Sequence, residues 1–237
     1  MESRISPMRQ ILRVGAWLLL ASVLGIVMAR PAPAKHSQNF TAPDVVTASD
    51  VPYPASTEAA GVVTLAVNLD GTGQIMNIQT LRDLPTVTTQ ATIALQNWSY
   101  KPAGVNGKPV RSSLVVNIVF APAFLDSNNI PLGPPESFQP PNPQAMSYTP
   151  PQLLTATYAP YPTGGLASGA VVMDVSIDSH GNITKVATVR DVPTLTAAAA
   201  AALKNWSFKA ASYGNTPIAS KVVVAMVFRN PATALPD

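Results

Sequence analysis

Few side chains in this sequence could do chemistry. There is no cysteine, and the two histidines are His36 and His180. A disulfide, a thiolate metal site and a cysteine nucleophile are therefore excluded. The remaining candidates come in pairs at one constant spacing: Tyr53 and Tyr161, Asp70 and Asp178, Arg82-Asp83 and Arg190-Asp191, Trp98 and Trp206. Asp70 and Asp178 open the strings DGTG and DSHG, where aspartate starts a tight turn and the last glycine supplies positive φ. His180 lies inside the second of these turns and is expected to be solvated; His36 carries no signal. The Arg-Asp pairs stand just before a predicted helix, which suits local pairing and helix-start electrostatics. A partner contact is their second possible use, because arginine is enriched at interfaces. Tyr53 and Tyr161 sit between prolines and are expected to pack on a sheet, and Lys108 in NGKPV reads as a loop residue. No nucleophile stands with a base, no carboxylates pair within plausible reach, and there is no phosphate loop. The sequence predicts no enzyme, no cofactor and no metal.

Charge adds a second exclusion. The chain has 237 residues and a formal net charge of +3. Arg4, Arg9, Arg13 and Arg30 lie within positions 1–34, around the uninterrupted apolar run Val14–Ala29, and Ala32-Pro33-Ala34 follows. A basic start, a short apolar stretch and small residues at the end spell a secretory leader. The alternative is an uncleaved anchor, with residues 14–29 retained in the inner membrane. Either way the arginines stay inside and the rest of the chain is exported, so a periplasmic location is expected. Without residues 1–34 the balance is 11 Lys+Arg against 11 Asp+Glu. Neutrality removes the electrostatic case for nucleic acid.

The elements that must position these residues are duplicated. QNWSYKPA (96–103) returns as KNWSFKAA (204–211). The same gapless shift aligns Pro52-Tyr53-Pro54 with Pro160-Tyr161-Pro162 and Phe120 with Phe228. In each copy Val63, Leu65, Val67 and Leu69, or Val171, Met173, Val175 and Ile177, alternate as a half-buried strand does. The turn follows, then a second strand over 74–81 or 182–189. Its alternation breaks at Ile75/Ile78 and Ile183/Val186, which predicts a bulge. Ala91, Ala94, Leu95 and Trp98, matched by Ala199, Ala202, Leu203 and Trp206, form a helical stripe, with Thr88 and Thr196 as expected N-caps. A third strand carries Leu114, Val116, Ile118 and Phe120, or Val222, Val224, Met226 and Phe228. The expected fold is α+β: two ββαβ domains, 42–121 and 150–229, each a three-stranded antiparallel sheet with one helix on one face. A Pro-rich linker over 122–149 joins them. Each Trp is expected to plug the space between helix and sheet, since so small a domain has little core to spare.

The ordered set PYP, GVVTLAVNLDGTGQI, a helix ending WSYKPA, then NGKPV and a last apolar strand, resembles the TonB C-terminal domain, here present twice. The second copy departs at KAA for KPA and at YGNTPI for VNGKPV. The resemblance implies a periplasmic domain of an energy transducer that grips the N-terminal segment of outer-membrane receptors by strand addition. On this chain that grip falls on the third strands. The residues on the side away from the helix are Ser113, Val115, Asn117 and Val119, with Lys221, Val223, Ala225 and Val227. Two features differ from the family's transducers. Residues 14–29 contain no histidine for coupling to a proton channel. The spacer before the first copy has about a dozen residues, an extended reach of about 40 Å at ~3.1 Å per residue. The expected partner is a protein or peptide, such as a receptor N-terminal segment. The rival expectation is a scaffold in which the two third strands pair with each other, within one molecule or in a homodimer, and which binds cell wall or another protein without energy coupling.

Overall fold

A computed structural model describes residues 39–121, 129–132, 148–230 and 232. The apolar run 14–29 and most of the expected linker lie outside these residues. Among the described residues, no helix is long and apolar enough to cross a membrane.

The first copy runs β1 (Phe40–Thr41), β2 (Asp44–Thr47), β3 (Gly61–Leu69), β4 (Ile75–Arg82), α1 (Thr88–Gln96), β5 (Ser99–Lys101), β6 (Ala103–Val105), β7 (Lys108–Val110) and β8 (Ser112–Phe120). The second repeats the series as β9 (Tyr148–Thr149), β10 (Gln152–Thr155), β11 (Gly169–Ile177), β12 (Ile183–Arg190), α2 (Thr196–Ala202), β13 (Ser207–Lys209), β14 (Ala211–Tyr213), β15 (Thr216–Ile218) and β16 (Ser220–Phe228). A 3-10 turn, Leu203–Asn205, extends α2. The bulge falls in both second strands: Leu69 faces Ile75 and Asn68 faces Asn77, so Met76 is the extra residue, and Thr184 is its counterpart.

The two copies are not separate sheets. They share one six-stranded sheet in the order β12-β11-β16-β8-β3-β4. Every neighbouring pair is antiparallel except the central one, where β16 and β8 run parallel with Val223 beside Val116 and Val227 beside Phe120. The repeat itself matches Val223 to Val115, so the pairing is slipped by a single position. Side chains alternate faces with period two, and this slip therefore turns the second copy over. Val116, Ile118 and Phe120 share a face and a core with α1, and Val223, Ala225 and Val227 join them there. Val222, Val224, Met226 and Phe228 share the opposite face with α2, joined by Val115 and Val119. The helices thus cover opposite faces of one sheet.

The half of each face left by a helix is covered by a lead-in segment of the other copy. Val45 and Val51 pack with Ala170 and Val172 of the second copy. Leu153, Ala156 and Tyr158 pack in the core that takes in Val62 of the first. Burial on both faces explains the near-continuous apolar run in β16, SKVVVAMVF, where a one-sided sheet would alternate. Of the expected linker, residues 129–132 and 148–149 are among the described ones. Ile130 is buried, and its N–H donates to the Ala156 carbonyl at 3.0 Å. The Leu132 carbonyl accepts from Arg82.

The N-caps also need correction. Val87 and Leu195 occupy the caps and make no side-chain cap bond. Thr88 Oγ1 instead accepts from the Leu84 N–H at 2.9 Å and donates to the Leu84 carbonyl at 3.0 Å, closing the turn before the helix. Trp98 and Trp206 are buried as expected, and their indole N–H groups donate to the Ser49 and Thr157 carbonyls at 3.2 and 3.0 Å. Both acceptors belong to the lead-in of the same copy, so each Trp fastens that segment to its helix.

Candidate interaction surfaces

The third strands lie at the centre of the sheet. Ser113, Val115, Asn117, Val119, Val223, Ala225 and Val227 are all buried, and Lys221 is half-buried. Their side chains point away from the helix of their own copy. The expectation of an open third-strand edge is corrected where β8 and β16 pair: the outward backbone groups of residues 116–120 and 223–227 face each other across the two strands. The strand edges left unpaired in this sheet belong to β4 and β12.

The faces opposite the two helices carry different polar groups at matching places. In the first copy the group is neutral. Thr64 Oγ1 donates to Asn117 Oδ1 at 3.0 Å, Ser113 donates to Asn68 Oδ1, and the side-chain amide nitrogens of Asn68 and Asn117 are buried without a partner. In the second copy it is ionic. Lys221 Nζ donates to Asp174 Oδ2 at 2.6 Å and to Asp44 Oδ2 at 2.8 Å. Burial pushes the Asp174 carboxyl up, against the hydrogen bond and charge of Lys221. Burial pulls the Lys221 ammonium down, but the hydrogen bonds and charges of Asp174 and Asp44 outweigh it and leave it above the usual lysine range. The lysine therefore gains from the cluster, while Asp174 is held there against its own desolvation. Asp44 belongs to the first copy, so the cluster ties β2 to the second. Asp50 repeats this link, accepting from the Ala170 N–H at 2.8 Å and lying 3.2 Å from Arg190.

The paired small signals resolve structurally. Arg190 reaches Asp50, not its neighbour Asp191. Asp70 Oδ1 accepts from the N–H groups of Thr72 and Gln74 and from Thr72 Oγ1, which together hold its carboxyl below the usual range. The backbone N–H of His180 donates to Asp178 at 2.8 Å. Tyr53 and Tyr161 donate to the Ala59 and Ala167 carbonyls at 2.6 Å, and burial pushes the Tyr53 hydroxyl up to about 12. Among the described residues no group of three His, Cys, Asp or Glu side chains could hold a metal ion.

Two matching clefts open beside the free edges. One, of about 560 Å³, lies between β4 and α1 and is lined by Ile75, Ile78, Thr92, Gln96, Trp98 and Ser99. The other, of about 580 Å³, is lined by their counterparts in the repeat: Ile183, Val186, Ala200, Lys204, Trp206 and Ser207. The linings are semi-apolar, and a lysine in the second stands where glutamine stands in the first.

Sequence reasoning missed the cluster and the clefts. The cluster's signal was available: Asp174 interrupts VVMDVSI where the first copy has Ala66, and Lys221 replaces Ser113. Two paired departures from the repeat, both toward charge on one strand face, mark residues that meet. The family model described as Gram-negative bacterial TonB protein C-terminal matches residues 52–122 and 166–229. No curated protein and no solved structure matches the chain.

Proposed function

Because the chain belongs to the TonB C-terminal family, and its two third strands are joined to each other, we propose that it is a protein-binding scaffold of the cell envelope. In this reading the duplicated domains form one rigid body, partners dock on its outer surfaces, and it performs no catalysis. The parallel β8–β16 pair carries the proposal. Capture of a receptor segment by β8 or β16 would require that pair to separate, exposing Val116, Ile118, Val223 and Ala225, all fully buried. At about 25 cal/mol per Å² of apolar surface, an incoming strand must replace the same contacts to break even. A periplasmic setting is supported by the leader-like N-terminus and by the family, in which the domain engages other proteins. The missing histidine in 14–29 favours a scaffold over an energy transducer.

The test is amide NMR on residues 35–237, which contain the whole sheet and both cores. Peptides from the N-termini of outer-membrane receptors should leave the amides of Ser112–Phe120 and Ser220–Phe228 unshifted, and those amides should exchange with solvent among the slowest in the protein. Shifts concentrated on either strand would replace the scaffold reading with receptor capture.

A further inference from the structure

We infer that the cavity at the start of β8, where the two copies meet, is a binding site for the carboxylate of a small organic acid. This goes beyond the scaffold reading and does not rest on it. The cavity holds about 120 Å³. Its walls include Phe40 and Val105 of the first copy and Tyr148 and Tyr213 of the second. Small ligands favour such largely apolar hollows at domain junctions. Every polar side chain in the lining can donate a hydrogen bond: Arg111, Ser112, Tyr148 and Tyr213. No lining residue is acidic. The Tyr148 hydroxyl is buried and has no hydrogen-bond partner among the described residues, a costly state that an incoming acceptor would relieve. Burial also pushes this hydroxyl up, so it stays protonated and able to donate. Ser112 Oγ accepts from the Ala103 N–H at 3.0 Å, which leaves its own O–H to donate. Arg111 is exposed and makes no ion pair among the described residues.

The repeat supplies an independent sign. Phe40 and Tyr148 are counterparts, as are Val105 and Tyr213, and Arg111 and Ala219. Each pair differs by a donor: a hydroxyl at 148, a hydroxyl at 213, a guanidinium at 111. All three added donors line this one cavity. The matching elements bring them there. β1 sets Phe40 beside Val105, β9 sets Tyr148 beside Tyr213, and the Phe40 and Tyr148 rings stand 5.5 Å apart. Neither copy builds the cavity alone. The occupant follows from charge and size. A guanidinium presents a planar fork that matches a carboxylate. One cation beside apolar walls suits a monoanion with a short apolar stem; the second charge of a phosphate would go unpaired. A cavity of ~150 Å³ takes benzene, so this smaller one suits a short aliphatic acid such as propionate.

The test is amide NMR titration of residues 35–237 with sodium propionate, at an ionic strength held constant with sodium chloride. Propionamide is the neutral analogue. N-acetyl-glycyl-alanine carries the same carboxylate at the end of a peptide. Propionate should shift residues 103–105, 110–112, 148–149 and 211–213, with a Kd of millimolar order for a ligand this small. Propionamide should bind about tenfold more weakly, since it lacks the charge that Arg111 meets. Arg111→Ala should weaken propionate by a similar factor of about ten. Tyr148→Phe should weaken it too, while leaving the thermal midpoint of the free protein unchanged or higher, because the lost hydroxyl had no partner there. Each variant carries the residue that the other copy has at the matching place, so the frame accommodates both. Absence of these shifts, or equal affinity for propionate and propionamide, would mean a cavity that holds only water and overturns the site. A lower midpoint for Tyr148→Phe with propionate binding unchanged would make the hydroxyl structural and overturns its role. N-acetyl-glycyl-alanine binding as tightly as propionate would assign the site to a chain terminus and overturns the free acid.

Discussion

The two faces opposite the helices occupy matching places in the duplicated frame, yet they are built from different chemistry. The first copy places Thr64, Ala66, Asn68, Ser113 and Asn117 there, all neutral, with two amide nitrogens left without a partner. The second places Val172, Asp174, Ser176, Lys221 and Ala225 there, and adds Asp44 from the other copy. The frame holds wherever a residue packs against its own helix or closes its own turn. Its polar positions diverge on the faces that meet the other copy, although Val115 and Val119 stay valine there as Val223 and Val227. The slipped register between β8 and β16 explains why. It puts the outward face of each copy under the lead-in of its twin, and the two lead-ins differ: Asp44 in one stands where Gln152 does in the other.

The shared frame gives the largest expected effect. Trp98→Ala and Trp206→Ala should each lower stability by about 3–5 kcal/mol, the usual loss for a large aromatic removed from a core. Because the sheet is continuous, either change should move one cooperative unfolding transition. Fluorescence of the matching tryptophan in the other copy should follow the new midpoint in each variant. A remaining tryptophan that kept the original midpoint would show two independent domains.

The divergent faces give the next effect, and only in the second copy. Lys221→Met leaves Asp174 and Asp44 facing each other beside the sheet, and should destabilise by about 2–3 kcal/mol; the partial exposure of Lys221 and Asp44 keeps it below the figure for a fully buried pair. Ser113→Ala at the matching place removes one neutral hydrogen bond, about 1 kcal/mol. Installing the first copy's residues together, Asp174→Ala with Lys221→Ser, should recover most of the Lys221→Met loss, because the charges are then removed in company. The pH dependence is one-sided. The folded pKa of Lys221 is raised, so its contribution is full below the unfolded value of about 10.4 and is lost as pH rises through the folded value. The stability gap between wild type and Lys221→Met should therefore close at alkaline pH. Denaturant titrations across that range check it.

How much of this was legible follows from where the information lies. The strands, turns, bulges and helix stripes were readable because each depends on near neighbours in the chain: Asp70 to Gly73, Ala91 to Trp98. The face on which Ser113, Val115, Asn117 and Val119 lie was readable from period two alone. What covers that face was not, because a slip of one position between β8 and β16 decides it, and no local pattern encodes a register between strands so distant in sequence. The Thr88 cap was misread for a smaller reason. A threonine at the first helical position can close the preceding turn as well as cap the helix, and the positive φ of Thr86, 80°, selects the turn.

The hairpin glycines sharpen the comparison at intermediate size. Gly73 and Gly181 have φ of 91° and 90° and abut the strand that follows the helix. An added Cβ would lie 2.5 Å from the Tyr100 carbonyl oxygen in the first copy and 2.0 Å from that of Phe208 in the second. Both alanine variants are strained by their backbone angles, a cost of order 1–3 kcal/mol. Gly181→Ala should be the worse of the two, because the contact is closer and the obstacle is backbone that cannot rotate away. Equal losses in thermal unfolding would mean that β13 shifts freely, and that the second copy is looser than its twin.

The smallest effect should be the same in both copies. Asp70 and Asp178 are held below the ordinary carboxylate range by hydrogen bonds from their own turns, Thr72 and Gln74 in one, Asn182 and His180 in the other. A depressed folded pKa contributes stability above the unfolded value of about 3.9, and loses it as pH falls through the folded value. Asparagine keeps an acceptor in the turn but cannot titrate. Asp70→Asn and Asp178→Asn should therefore each be less stable than wild type at neutral pH, and each gap should shrink below about pH 4. The turn belongs to the frame that the copies share, so the two acid profiles should superimpose. An acid response in only one copy would place the divergence in the frame itself, and the division between shared frame and divergent seam would have to be redrawn.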